Sequence, residues 1–187
     1  MHYATFKQRA YAQMIDALIL LAITGVFMWL KGPSKQAEYL LYPLETALLV
    51  GYTIFFHGRF GQTIGKRMAG IKLMKANGQS ASWKEAWLRD SVGMTLLVPT
   101  VICHYIALNA IPDALYASSS WRELPGLLAT HEPAVPHWIK TLSTIWFWSE
   151  LVTMLLNKRR RALHDLLAGT VVVQLAPDTP SAIVPAQ

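Results

Sequence analysis

Four runs of apolar residues constrain this sequence more than any other feature, because each is close to the length that a helix needs to cross a bilayer. They cover residues 11–30, 37–56, 91–111 and 137–156. A spanning helix needs about 20 mostly apolar residues. A soluble helical bundle would instead show polar residues at every third or fourth position, and residues 17–28 offer only Thr24. We therefore predict an all-α integral membrane fold with four transmembrane helices.

The composition is typical of a membrane protein. Of the 187 residues, 53% are hydrophobic and 15% are charged, whereas a soluble domain carries about 25% charged residues. A single cysteine, Cys103, excludes a disulfide scaffold and a cysteine-built metal site. The sequence shows no nucleophile–base pair and no His-rich metal spacing, so we expect no enzymatic activity, no cofactor and no bound metal.

Basic residues are distributed unevenly between the apolar runs. Thirteen of the 17 Lys and Arg residues lie in the N-terminal arm, in the second loop and after the fourth run. Because Lys and Arg collect on the cytoplasmic side of membrane proteins, we predict cytoplasmic termini and a multi-pass location in a bacterial inner membrane. The same excess predicts contact with the bilayer and its anionic lipid headgroups, and not with nucleic acid. Residues 1–175 form the predicted membrane domain, and residues 176–187 a disordered tail.

The second loop contains a glycine-rich motif at residues 61–67. A phosphate-binding loop would need four residues between its glycines and a Ser or Thr after the lysine, but this motif has three residues and an arginine there. We interpret the motif as a turn that precedes a short strand at residues 71–75, on the cytoplasmic side of the membrane. A capping box at Ser82 and Glu85 then predicts a helix that begins near Trp83. The motif residues singled out for function are Gly61, Gln62, Thr63, Gly65, Lys66 and Arg67.

A second patterned segment follows the fourth run. Arg161 and Asp165 are four positions apart, so we expect them to pair on one helical face. Gly169 is predicted to end this helix. The β-branched residues 170–173 predict a strand that pairs with residues 71–75. The motif residues singled out here are Arg161, His164, Asp165, Gly169 and Thr170.

Taken together, three motifs resemble the RDD family of membrane proteins, which is named for one arginine and two aspartates. They are Arg9-x-x-Ala12-x-x-x-Asp16, the Gly61-Gln-Thr-x-Gly65-Lys66 loop, and Arg161-x-x-His164-Asp165 with Gly169-Thr170, in this order. The family letters fall on Arg9, Asp16 and Asp165. The resemblance implies a multi-helix inner-membrane protein of poorly defined function, and some RDD-type proteins are described as monovalent cation/proton antiporters. The external loop at residues 112–136 is longer than the minimal family pattern.

Ionisable residues inside the apolar runs form the candidate ion or proton route. They are Asp16, Glu45, His104 and Glu150. Each acid at the bilayer centre costs about 2.5–3.5 kcal/mol, so we expect these groups to be paired, hydrated or protonated. Their depth in the runs places Asp16 with Glu150 near the cytoplasmic side and Glu45 with His104 nearer the midplane.

Two roles remain open for Asp16. It is either a structural partner that fixes the cytoplasmic elements to the first helix or a protonatable carboxylate on the route. In both cases we expect its partner to be Lys66, Arg67 or a residue of segment 161–165.

Two functions from different classes follow. The first is a small secondary transporter that exchanges a monovalent cation for protons, with Asp16, Glu45 and Glu150 as carriers. Four helices are few for alternating access, so this function requires a homo-oligomer. The second is a non-transport scaffold or assembly module whose basic cytoplasmic face binds a partner protein or anionic lipid. Neutralising Asp16 distinguishes them, because a transporter would lose flux while it stays folded.

Overall fold

The structure is a computed structural model that describes residues 2–133, 137–157 and 159–175, and it is mostly helical. The tail that the sequence predicts to be disordered, residues 176–187, lies outside the described residues. The elements in chain order are α1 (Phe6–Lys31), α2 (Lys35–Phe60), α3 (Ile64–Met68), β1 (Ile71–Lys75), α4 (Trp83–Ala110), α5 (Asp113–Ser118), α6 (Leu124–His131), α7 (His137–Leu156), α8 (Leu163–Leu167) and β2 (Thr170–Gln174).

Three of the four predicted runs lie in helices that are long and apolar enough to cross a membrane. These helices are α1, α2 and α4, with 26, 26 and 28 residues. Large apolar side chains on them are exposed, including Leu21 at 67% and Leu40 at 74%, as expected of surfaces that face lipid. The fourth run forms α7, whose apolar stretch, Thr141–Leu156, is shorter than the other three.

Helix α4 begins well before the apolar run that it contains. The backbone N–H of Ser82 donates to Oε2 of Glu85 at 2.8 Å, which satisfies one of the donors at the helix end. The start that the capping box predicts is therefore confirmed at Trp83. Because the helix continues without a break from Trp83 to Ala110, Arg89 lies on a helix and not in a loop.

The predicted pairing of the two strands is confirmed. Strands β1 and β2 form an antiparallel two-stranded sheet in which Leu73 faces Val172 at the centre. The fold class is therefore not purely helical, since this small sheet accompanies the helices. The sequence predicts the first strand because apolar and basic residues alternate over residues 71–75, and the second because residues 170–173 are β-branched.

Each strand is the second half of a repeated helix–strand element. Helices α3 and α8 both have five residues and both end in an alanine cap. A glycine follows each cap, Gly70 with φ 64° and Gly169 with φ 65°. Only glycine adopts this left-handed conformation at little cost. Both segments therefore pass from helix to strand in the same way. The copies are related by an approximate two-fold axis through the pair Leu73 and Val172.

The chain divides into two compact units. Unit 1 comprises Met1–Ile19, Val50–Val92 and Thr144–Gln187, and unit 2 comprises Leu20–Leu49 and Gly93–Ser143. The core of unit 1 lies against the sheet and consists of Ala4, Ala12, Ile71, Leu73, Ala81 and Val172. The core of unit 2 consists of Leu108, Ile111, Tyr116 and Leu124.

Candidate functional site

Asp165 in unit 1 is fully buried and binds two arginines. Its Oδ2 accepts a hydrogen bond from Nη1 of Arg9 at 2.8 Å, and its Oδ1 accepts one from Nη1 of Arg89. The backbone N–H of Ala162 and the hydroxyl of Thr170 donate to the same carboxylate at 3.1 and 3.3 Å. Burial alone would raise the pKa of the Asp165 carboxyl, but the charges of Arg89, His164 and Arg9 hold it well below its usual range.

The prediction that the side chains of Arg161 and Asp165 form an ion pair is wrong. Arg161 donates instead to two backbone carbonyls, from Nε to Thr170 at 2.9 Å and from Nη2 to Asp165 at 3.0 Å. Helix α8 begins only at Leu163, so helical spacing does not apply to Arg161. The carboxylate is already occupied by arginines from α1 and α4, and Arg161 ties the start of the α8 element to the start of β2.

Asp16 accepts hydrogen bonds from three neutral donors, which the sequence did not predict as its partners. Its Oδ1 accepts from the hydroxyl of Tyr52 at 2.7 Å and from the backbone N–H of Gly65 at 2.8 Å. Its Oδ2 accepts from the hydroxyl of Thr63 at 2.6 Å. Both oxygens of this carboxylate therefore have partners within the protein, which compensates for their removal from water.

The glycine-rich motif is the surface that docks onto Asp16. Thr63 caps α3 by accepting from the N–H of Lys66 at 3.2 Å while it donates to Asp16. A Cβ on Gly65 would collide with the carbonyl oxygen of Ala12 and with the Asp16 carboxyl group. Only glycine permits such a close approach of α3 to α1.

The other motif residues link this loop to β1. Gly61 has a φ of 67°, and its carbonyl accepts from the N–H of Leu73 at 2.7 Å. The side chain of Gln62 donates to the carbonyl of Ile71 at 2.9 Å. Arg67 is exposed. The motif thus joins three elements, α1, α3 and β1.

Lys66 contacts a buried histidine. Its Nζ lies 2.7 Å from Nε2 of His57, which is 3% exposed. Burial and the charge of Arg89 lower the pKa of Lys66 to about 7. At neutral pH this lysine can therefore gain or lose a proton, unlike an exposed lysine.

The carboxylate of Glu150 on α7 binds the short helix α8, as the carboxylate of Asp16 on α1 binds α3. Its Oε1 accepts from the backbone N–H of His164 at 3.0 Å, and its Oε2 contacts Nδ1 of the same histidine. Burial and the charge of Arg89 lower the pKa of His164. His164 and Gly65 are both the second residue of their short helices. The repeated elements are therefore each held by a carboxylate from a long helix.

A second polar cluster lies in unit 2 and is built around one lysine. Nζ of Lys31 lies 3.1 Å from Oε1 of Glu38 and 2.9 Å from Oε2 of Glu45. Nε2 of His104 lies 3.0 Å from the same Oε1 of Glu38. All four side chains are at most 10% exposed. We call these four residues the exchange cluster.

Aromatic side chains cover the exchange cluster. The ring of Tyr42 stacks on that of His104 with 3.7 Å between centroids, and Nζ of Lys31 lies 5.5 Å from the Tyr42 centroid. The hydroxyl of Tyr116 donates to Oε2 of Glu38 at 3.5 Å. Such a shell excludes water, so charges inside it interact more strongly than they would in solution.

The four predicted route residues fall into two groups. Asp16 and Glu150 lie in unit 1, where each docks a short helix, and Glu45 and His104 lie in unit 2. Glu45 and His104 are connected through Lys31 and Glu38.

Sequence reasoning missed Arg89, Lys31 and Glu38 as site residues. Lys31 follows the first apolar run and is the last residue of α1. A signal for Glu38 was present, because Glu38 and Glu45 are seven positions apart and so share one helical face. Arg89 follows the capping box by four residues, which also places it on a helix.

Within residues 2–133, 137–157 and 159–175, no group of three or more His, Cys, Asp or Glu side chains is arranged to hold a metal ion. The described clusters instead combine buried carboxylates with basic side chains and neutral hydrogen-bond donors.

The comparisons with known proteins agree with the motifs. The model of the RDD family matches residues 3–169. This match includes Arg9, Asp16 and Asp165, together with the Gly61–Arg67 motif. Neither the curated proteins nor the solved structures compared with the chain contain a match.

Proposed function

Because the chain belongs to the RDD family, we propose that it is a multi-pass protein of a bacterial inner membrane with four spanning helices and cytoplasmic termini. Helices α1, α2 and α4 supply three spans by length and composition. Helix α7 supplies the fourth, because an even number of spans keeps the basic N-terminal arm and the basic segment after α7 on one side. The small sheet, α3 and α8 are then cytoplasmic.

The proposed activity is exchange of a monovalent cation for protons, and the exchange cluster is the observation that carries it. Lys31, Glu38, Glu45 and His104 are buried together on α1, α2 and α4, three helices that are long and apolar enough to span a membrane. An acid at the centre of such a span costs about 2.5–3.5 kcal/mol, and Glu45 lies well inside its apolar run. Ionisable groups kept at this cost in a membrane usually mark an ion or proton pathway. The family resemblance points to the same class of activity.

The roles of the acids differ in this proposal. Glu45 and Glu38 bind the transported ions with His104, whereas Asp16, Glu150 and Asp165 hold the cytoplasmic elements against the long helices. Asp16 is assigned a positioning role because protein donors bind both of its oxygens. Four helices offer little surface for alternating access, so the transporter works as a homo-oligomer.

Dissipation of a preset pH gradient in proteoliposomes tests this function. Sodium, potassium and lithium are added separately to vesicles that contain the wild type, Glu45→Gln or Asp113→Asn. Asp113 is the control, because its carboxylate binds Lys35 in the same unit but its side chain is 88% exposed. We expect ion-driven proton flux from the wild type and Asp113→Asn and none from Glu45→Gln. Folded wild-type protein without flux for any of the three ions would refute the proposal.

A second candidate function is a scaffold that binds anionic lipid or an acidic partner. Exposed aromatic and basic side chains at the start of α4, namely Trp83, Lys84 and Trp87, favour it. Lys7, Arg159 and Arg160 are also exposed in unit 1. A thermal shift with phosphatidylglycerol that phosphatidylcholine does not produce, in protein without transport activity, would favour this function.

A further inference from the structure

We propose that the exchange cluster holds one exchangeable proton and that a single monovalent cation replaces it, so that transport is one-for-one and electroneutral. This inference rests on the proposed transport function and adds its stoichiometry. It follows from the charges that the structure buries together, and it makes a prediction that transport alone does not make.

The charges of the cluster do not balance without an additional cation. Lys31 contributes one positive charge, and Glu38 and Glu45 contribute two negative charges. Unless a proton is shared between His104 and Glu38, a buried site at most 10% exposed therefore carries one net negative charge. A net charge away from water is strongly disfavoured unless another charge compensates for it. One proton or one monovalent cation restores neutrality.

The neighbouring groups do not supply this charge. Lys35 is already paired with Asp113 at 2.8 Å. The aromatic neighbours Tyr39, Tyr42, Tyr105 and Tyr116 carry hydroxyls that are neutral near pH 7. Glu132 acts on Tyr42 but is negative and exposed, so it adds to the imbalance. None of these described neighbours supplies the compensating charge. A proton or a cation must therefore bind to the cluster itself.

The geometry provides one place for a proton and one for a cation. Nε2 of His104 and Oε1 of Glu38 are 3.0 Å apart, so one proton can be shared between them. Among the described residues, the contacts of Glu45 all use Oε2, so its Oε1 is available as a ligand although the residue is only 6% exposed. Carboxylate oxygens suit hard cations.

The exchange is balanced in charge. When the proton leaves the pair of His104 and Glu38, the cluster becomes negative and binds one monovalent cation at Oε1 of Glu45. When the cation leaves, the proton returns. A divalent cation in place of the proton would leave one surplus positive charge in the same buried site, so the cluster discriminates against it.

Two measurements on the full chain test this stoichiometry. In detergent, calorimetric titration with sodium chloride in buffers of different ionisation enthalpy gives the number of protons released for each cation bound. We expect about one for the wild type and for Asp113→Asn. Glu45→Gln should release no proton, because the charges of Lys31 and Glu38 already cancel in that variant. In proteoliposomes, the exchange rate should not change when a potassium–valinomycin potential is imposed.

The outcomes separate the two proposals. Sodium or lithium flux that follows the imposed potential, or release of two protons for each cation, would overturn the one-for-one exchange and leave transport intact. Cation binding without proton release would overturn it as well. The absence of binding and flux with sodium, potassium and lithium would refute both proposals. The wild-type measurements alone decide, so the test does not depend on the folding of a variant.

Discussion

The backbone N–H of Gly65 donates to Oδ1 of Asp16 at 2.8 Å across 49 positions of sequence, and no Cβ fits between the two helices. The same relationship recurs between His164 and Glu150, where another short helix presents the N–H of its second residue to a carboxylate on a long helix. Arg9, the arginine of the family motif, connects α1 to α8 as well, because it binds Asp165. The three signature residues of the family thus hold the ends of unit 1 together.

Substitution of Gly65 by alanine tests the close approach. We expect Gly65→Ala to destabilise the protein by about 1–3 kcal/mol, because the added methyl group must displace the Ala12 carbonyl or the Asp16 carboxyl. Thermal unfolding in detergent measures the effect. Gly93→Ala is the matched control, because its Cβ would meet nothing within 4 Å, and it should be neutral or stabilising. Equal midpoints for the two variants would contradict this account of the motif.

Removal of the Asp165 charge should be more severe. Asp165→Asn leaves the guanidinium groups of Arg9 and Arg89 buried without their counter-charge. Breaking a buried ion pair in this way costs about 3–5 kcal/mol. Asp113→Asn removes an exposed carboxylate that also binds a cation and should cost about 1 kcal/mol or less. A loss of similar size in both variants, measured by unfolding in detergent, would show that burial of Asp165 does not matter.

The lysine in the glycine-rich motif predicts a dependence of stability on pH. The pKa of Lys66 is about 7 in the folded state, against 10.5 for an ordinary lysine. Between these values the unfolded chain binds more protons than the folded chain, so the free energy of unfolding rises with pH. The slope approaches about 1.4 kcal/mol per pH unit.

Unfolding midpoints between pH 7 and 9 measure this slope. Lys66→Met should remove it, because the variant has no ammonium group to desolvate. Lys84→Met should keep it, because Lys84 is exposed. A wild-type midpoint that stays constant over this range, or a slope that persists in Lys66→Met, would contradict the assignment.

The orientation is tested by cysteine accessibility in a Cys103→Ser background. Gln79→Cys places a thiol in the exposed turn after β1, and Ser118→Cys places one at the exposed end of α5. A membrane-impermeant maleimide should label Ser118→Cys in intact cells and Gln79→Cys only after permeabilisation. The reverse pattern would show that the termini are not cytoplasmic.

The sequence predicted those features that depend on local pattern. Apolar runs identify the long helices. Alternation of apolar and basic residues identifies β1, and β-branched residues identify β2, which pairs with it. The helix ends were less accurate, because hydropathy marks the apolar part of a helix whereas backbone hydrogen bonding continues into polar residues. Arg89 accordingly lies on α4 but before the apolar run at residues 91–111.

Partners across the fold could not be predicted from spacing. Asp16 was expected to bind a cation, but tertiary packing brings it the hydroxyls of Tyr52 and Thr63. Arg161 and Asp165 have helical spacing, but α8 begins only at Leu163, so Arg161 lies outside the helix. The exchange cluster combines residues from three helices. The sequence predicts only Glu45 and His104 of these, since Lys31 and Glu38 lie at the ends of their apolar runs.

The division of roles between Asp16 and Glu45 is the central claim, and one paired measurement tests it most directly. Exchange flux per folded protein and the unfolding midpoint are determined for Asp16→Asn and Glu45→Gln in the same lipid. We predict that Glu45→Gln keeps a midpoint near that of the wild type and loses exchange, whereas Asp16→Asn unfolds more easily but its folded fraction still exchanges. A stable Asp16→Asn protein without exchange, beside a Glu45→Gln protein with normal exchange, would contradict this account.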